Sequence, residues 1–256
     1  MAPDRLLGIT TMTWVLDLDG VVWLGDEPIP GSAEAIARLR ASGERVVFVS
    51  NNSALTISGY LAKLDRCGVP STADDVVSSA QVAADLLEPG ATALVCAGPG
   101  VDEALTARGV AIRHDDGPVD AVVVGWHRDF DYERLSMAMR AVRGGARLIG
   151  TNDDATYPTP TGPIPGGGSI LAAVAYASGV TPTVAGKPHQ PAVTFVQQKV
   201  GNVTVAVGDR PSTDGLFARR LGAKWCLVLS GVTTPGDLPV EPAPDQVTAD
   251  LATLVP

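Results

Sequence analysis

Short apolar runs alternate with amphipathic helical patterns along almost the whole chain, and this alternation constrains the fold most. Strand-like runs fall at Trp14–Leu18, Val46–Ser50, Ala93–Ala97, Ala121–Gly125, Arg147–Thr151, Val203–Val207 and Trp225–Leu229. Most are continuous Val, Ala and Leu, the pattern of strands covered on both faces. Helical periodicity lies between them at Ser32–Ala41, Ile57–Cys67, Ser79–Leu87, Val101–Arg108, Tyr132–Arg143, Ser169–Ala177, Ala192–Val200 and Asp214–Leu221. That order predicts an α/β fold with mostly parallel sheets. Breaks at Pro89-Gly90 and Thr181-Pro182-Thr183 set off a middle segment with strands and helices of its own. The expected organisation is a core from residues 1–90 and 185–256, interrupted by an inserted α/β cap over 91–184. Gln246–Val255 reads as a short terminal helix.

The chain has 256 residues, 45% hydrophobic, with mean hydropathy +0.18, a globular composition. Its net charge of −9 argues against a nucleic-acid groove. No apolar run reaches the roughly 18–20 residues needed to cross a bilayer, and no secretory leader is visible at the N-terminus. Cys67, Cys96 and Cys226 are dispersed among apolar neighbours, as buried thiols of a reducing cytosol would be. A cytoplasmic location is therefore expected.

Four polar clusters sit where strands end. Asp17-Leu18-Asp19-Gly20 places two carboxylates one residue apart at the end of the first strand. They repel each other, so a fold keeps them close only with a cation or hydrogen-bond donors to offset the repulsion. The alternative is a surface turn. Ser50-Asn51-Asn52 offers a hydroxyl and backbone amides near a helix start, either an anion cradle or an ordinary N-cap. Lys187 lies between Gly186 and Pro188 and is otherwise a solvated loop lysine. Gly208-Asp209-Arg210 ends another strand, with Asp214 five residues after Asp209. Asp214 either caps the following helix or orients its neighbours.

In that order, the four clusters resemble the haloacid dehalogenase superfamily. Within it they resemble the phosphatases of subfamily IIA, whose type-2 cap lies between the second and third motifs. That group includes 4-nitrophenyl, phosphoglycolate, glycerol 3-phosphate and pyridoxal phosphatases and a bacterial nucleotidase branch. The segments Val124–Phe130, Thr151–Asp154 and Pro165–Ser169 resemble its cap. The resemblance implies a Rossmann-like core and an aspartyl-phosphate mechanism. Asp17 is then the nucleophile and Asp19 the general acid and base. Mg²⁺ is held by the carboxylates of Asp17 and Asp209 and the backbone carbonyl of Asp19. Ser50, the Asn51 amide and Lys187 bind the phosphoryl oxygens, and Asp214 supports the metal side from behind. Val21 stands where many relatives have Thr, and Asp153 where many have Pro.

Trp126, His127, Arg128 and Asp154 are candidate contacts for the leaving group, with an exposed structural turn as the alternative for Trp126 and His127. Gly98-Pro99-Gly100 lacks the third glycine of a dinucleotide loop. Gly166-Gly167-Gly168 reads as a hinge or specificity loop, and His189 as structural. The expected activity is Mg²⁺-dependent hydrolysis of a small cytosolic phosphomonoester. Candidates are glycerol 3-phosphate, 2-phosphoglycolate, an aryl phosphate or a nucleoside monophosphate. The sparse cations of the cap loops favour small neutral polyol or aryl leaving groups over bisphosphates. A catalytically silent binding or regulatory protein is the alternative. A dehalogenase, which needs no metal and generally lacks the second acid, fits less well. The expected partners are the metabolite and, through the cap, a second copy of the chain, but no nucleic acid or membrane.

Overall fold

The computed structural model describes residues 12–157, 159 and 162–256; the N-terminal stretch read for a leader lies outside them. Among the described residues are two larger sheets, both parallel throughout. The six-stranded sheet runs in the order Gln246–Thr248, Lys224–Val228, Val205–Gly208, Thr13–Leu16, Arg45–Ser50, Val76–Ser78. The five-stranded sheet runs Thr183–Val184, Arg147–Gly150, Ala121–Val124, Thr92–Cys96, Ala111–Arg113. No helix among the described residues is long and apolar enough to cross a membrane.

Because side chains alternate along a strand, each sheet has two buried faces. In the six-stranded sheet Leu16, Val46, Phe48, Val205 and Val207 point one way, toward the helices Ser32–Ala41 and Ile57–Arg66. Val15, Val47, Val49 and Ala206 point the other way, toward Ser79–Asp85, Gln190–Val200 and Leu216–Leu221. The second sheet alternates in the same manner. Leu94, Cys96, Val122, Val124 and Leu148 join the helices Tyr132–Arg143 and Gly167–Ser178 in a separate cluster. Ala93, Ala121, Val123 and Ile149 instead join the cluster of the first sheet, together with Val101, Ala104 and Leu105 of the helix Pro99–Arg108. The middle segment therefore has a core of its own on one face and a shared core on the other.

Gln246–Val255 is not one helix. Residues Gln246–Thr248 form an edge strand and only Leu251–Leu254 is helical. A single valine between Gln246 and Thr248 gives no apolar run. The strand is settled by backbone pairing, with Leu229 N donating to Thr248 O at 3.0 Å, and pairing of that kind leaves no side-chain signal. Val76–Ser78, Ala111–Arg113 and Thr183–Val184 are also too short to show as runs.

Candidate active site

The carboxyl edge of the six-stranded sheet gathers the polar clusters, where parallel α/β sheets bind ligands. Asp17 directly follows its strand and is tied to the neighbouring one by its amide, which donates to Val207 O at 2.9 Å. Ser50 ends the adjacent strand and is buried. Asp209 follows Val205–Gly208. Lys187 arrives from the end of the five-stranded sheet and is buried among these acids. Its Nζ donates to Asp17 Oδ1 at 2.8 Å and to Asp214 Oδ1 at 2.7 Å.

Burial and charge set the protonation behaviour. Burial drives the Asp17 carboxyl well above its usual range, Lys187 opposes the rise, and Asp214, Asp209 and Asp19 reinforce it. Asp209 is pushed up to about 7, first by burial and then by Asp214. Burial also raises Asp19, against the lowering influence of Lys63, Trp23 and Tyr157. For Lys187 burial alone would favour the neutral amine, but Asp17 and Asp214 outweigh it and hold the ammonium above its ordinary value. These are the signs expected of clustered acids sharing too few cations.

Carboxylate oxygens of Asp17, Asp209 and Asp214 lie within 4.8 Å of one another, an all-oxygen set that suits a hard divalent cation. The three are not equivalent. Both Asp214 oxygens are engaged, Oδ1 by Lys187 Nζ and Oδ2 by the Arg210 amide at 3.1 Å. Among the described residues Asp17 gives only Oδ1, to Lys187, and Asp209 gives only Oδ2, to the Val232 amide at 2.6 Å. Each has one oxygen that takes no hydrogen bond from the described residues. Asp214 is thus a brace for the lysine and the Arg210 turn, set by the wide turn Pro211–Gly215 and not by a regular helix start. Gly20 makes the approach of Asp209 feasible. It adopts φ +82°, and a Cβ there would overlap Oδ2 of Asp209.

The second sheet closes over this edge. Trp126, Asn152, Asp154, Thr156 and Tyr157 line the same cleft as Asp17, Asp19 and Lys187. Asn51 links the two halves with its side chain. Its Oδ1 accepts from Lys187 N at 2.8 Å, and its Nδ2 donates to Lys187 O and to Asp154 Oδ2, both at 3.0 Å. Asn152 Nδ2 donates back to Asn51 O at 2.7 Å. Asp154 also faces Arg210 at 3.6 Å.

Two sequence candidates do not reach the cleft. His127 is buried, its Nδ1 against Gly125 O at 3.0 Å and its ring edge on Phe130 at 5.8 Å. Arg128 stands 6.0 Å over the Trp126 ring and lines, with His127, a neighbouring cavity of about 450 Å³. The turn after Ala121–Val124 sends Trp126 into the cleft and folds the next residue back into the core. Sequence reasoning missed Tyr157, Asn152 and Trp23, and gave Arg210 no role. Only Trp23, four residues after Asp19, left a local signal.

Comparison with known proteins accords with this geometry. The profile of haloacid dehalogenase-like hydrolases matches residues 14–111, and a HAD-hydrolase-like profile matches 184–254. The chain is 35% identical over 242 residues to an acid sugar phosphatase of Staphylococcus saprophyticus, covering 92% of this chain and 93% of that one. It belongs to the haloacid dehalogenase superfamily, subfamily IIA. Among solved members, a p-nitrophenyl phosphatase from Archaeoglobus fulgidus superposes with TM-score 0.89 at 30% identity, over 96% of this chain and 98% of that one. A glycerol phosphate phosphatase from Mycobacterium tuberculosis in complex with magnesium gives 0.88 at 33% identity, over 96% and 76%.

Proposed function

We propose that the chain is a Mg²⁺-dependent phosphomonoesterase of the cytoplasm, acting on a small phosphorylated metabolite with a neutral leaving group. The observation that carries this is the buried Lys187 ammonium clamped between Asp17 and Asp214 beside Asp209. A dianionic phosphoryl group approaching a carboxylate needs such positive charge nearby. The carboxylates of Asp17 and Asp209 would hold the ion, with the Asp19 carbonyl, and the ion would neutralise the phosphoryl oxygens.

Asp17 attacks phosphorus through the carboxylate while Lys187 orients it through Oδ1. Ser50 and Lys187 supply hydrogen bonds to the phosphoryl oxygens. Asp19 gives its proton to the departing alkoxide, and afterwards takes one from the water that cleaves the aspartyl phosphate. The segment 91–184 acts as the cap that covers the leaving group. In the cleft Asp154 partly neutralises Arg210, which leaves little to pair with a second anionic group on the substrate. The stacked rings of Trp126 and Tyr157, 5.3 Å apart, suit an apolar or polyol face.

Phosphate release from a panel of phosphomonoesters, with Mg²⁺ and with EDTA, tests the reading. Turnover should require the metal, and Asp17→Asn should lower it by at least 10³-fold, a loss in keeping with removal of the nucleophile. Hydrolysis that survives chelation and dialysis removes the metal from the reaction. A folded wild-type protein inert on every ester supports a silent binding role instead.

A further inference from the structure

Asp19 has two oxygens with different surroundings. Oδ1 accepts from the Trp23 indole Nε1 at 3.1 Å and from the Tyr157 hydroxyl at 3.4 Å. Oδ2 takes no hydrogen bond from the described residues, and Asp19 lines the cleft. The two donors come from opposite halves of the molecule. Trp23 sits on the small hairpin Trp23–Leu24/Glu27–Pro28 beside the six-stranded sheet. Tyr157 sits on the hairpin Thr156–Tyr157/Ile164–Pro165 of the middle segment.

Each donor is itself fixed. The Trp23 ring is 1% exposed, and the Lys63 Nζ stands 4.4 Å from its centroid while donating to Gly25 O at 2.6 Å. The Tyr157 ring stacks on Trp126, whose own indole donates to Pro165 O at 3.0 Å across the same hairpin. Neither ring is free to turn without breaking a second contact.

We infer that Trp23 and Tyr157 are positioning residues that fix Asp19 by Oδ1 and leave Oδ2 as the oxygen that carries the proton. An oxygen already accepting two hydrogen bonds is the carbonyl-like partner of a protonated carboxyl, so the acidic proton resides on the other. The inference rests on the phosphomonoesterase reading above. In the first step the O–H bond at Oδ2 breaks as the proton moves to the leaving-group oxygen. The P–O bond to that group breaks while the bond from Asp17 to phosphorus forms. In the second step Oδ2 accepts a proton from water as the water oxygen bonds to phosphorus and the bond to Asp17 breaks. The Tyr157 contact spans from the middle segment to the six-stranded half. The second donor to Asp19 is therefore in place only while that hairpin lies over the cleft, which couples correct presentation of the acid to coverage of the substrate.

The test is leaving-group dependence in Tyr157→Phe, which keeps the ring and its stacking. Steady-state kcat/KM reads events up to phosphoryl transfer, so it isolates expulsion of the leaving group. An alkyl phosphate needs a proton to leave, whereas 4-nitrophenolate leaves without one. We expect kcat/KM for the alkyl ester to fall about fivefold, the equivalent of one net hydrogen bond, and that for 4-nitrophenyl phosphate to change less than about twofold. Trp23→Phe should move the same ratio in the same direction, read on protein whose melting shows it folded. Equal losses on both esters, or no loss on the alkyl ester, overturn the inference. Wild-type protein that hydrolyses neither ester removes the phosphatase reading itself, and the inference with it.

Discussion

Replacing Lys187 by Met tests the electrostatic account of the site most directly. The side chains of Lys187 and Asp214 are 4% and 6% exposed and that of Asp17 is 13%, so solvent screening is slight. The substitution keeps the length of the aliphatic stem but leaves three neighbouring acids, Asp17, Asp209 and Asp214, without the ammonium that bridges two of them. Breaking a buried ion pair from one side costs about 3–5 kcal/mol. For a chain of this size each kcal/mol corresponds to roughly 2–4 °C in Tm, so a drop of about 10 °C is expected in metal-free buffer at pH 8. The Lys187 ammonium lies above its ordinary value of 10.5, so its contribution is present in full below that pH and does not itself fade in the working range. The loss in the variant should instead shrink toward pH 4, because the acids it strands become protonated.

A double-mutant cycle separates this from simple misfit of the methionine. Asp17→Asn alone should be neutral or stabilising without metal, since burial already disfavours the charged Asp17. Added to Lys187→Met, it should restore part of the loss, with a coupling of about 1–3 kcal/mol. Chemical denaturation of the four proteins in EDTA gives the cycle. Strict additivity, or a Lys187→Met variant as stable as wild type at pH 8, refutes the argument.

Two other perturbations follow from the same cluster. Asp209 is raised from 3.8 to about 7, so its share of metal-free stability is complete below about pH 4 and is lost as pH rises through 7, by up to about 4 kcal/mol; the Tm increase on adding Mg²⁺ should therefore be larger at pH 8 than at pH 5, and an equal increase at both rejects this origin. Gly20→Ala forces a Cβ onto Asp209 and strains a φ of +82°; it should abolish the Mg²⁺-dependent Tm increase, and retention of that increase would show that the acid has another route to the ion.

The α/β class was legible because Val, Ala and Leu runs buried on both faces need no alternation. The polar edge was legible because three adjacent strands of the six-stranded sheet end in an acid or a serine, at Asp17, Ser50 and Asp209. What stayed hidden were contacts between distant stretches. Tyr157 reaches Asp19 across 138 residues, and no spacing rule announces such a pair. Asn51 was expected to offer its amide to an anion, whereas the structure additionally gives its side chain the task of joining Lys187 to Asp154. His127 misled because a polar residue in a glycine-flanked turn resembles a surface contact, while its ring sits against Phe130 and the Cys96 thiol.

The shared core also bears on removal of the middle segment. A freestanding cap joined by two flexible connections could be deleted at little cost to the remainder. Here Val82, Ala83 and Leu87 lie in one buried cluster with Val101, Ala104, Leu105, Ala121 and Ile149. Taking out residues 91–184 would expose the first group as a contiguous apolar surface. Each buried aliphatic side chain returned to water costs about 1.5–3 kcal/mol, which for several of them approaches the whole stability of a domain. The deletion is thus expected to aggregate or to melt far below the full chain, by light scattering and thermal scan, even though the acids and the lysine are retained. A soluble deletion protein with a melting temperature near that of the full chain would show that the shared cluster contributes little. Point changes at the rim of the cleft, Asp154→Ala among them, therefore probe the role of the segment more cleanly than its removal does.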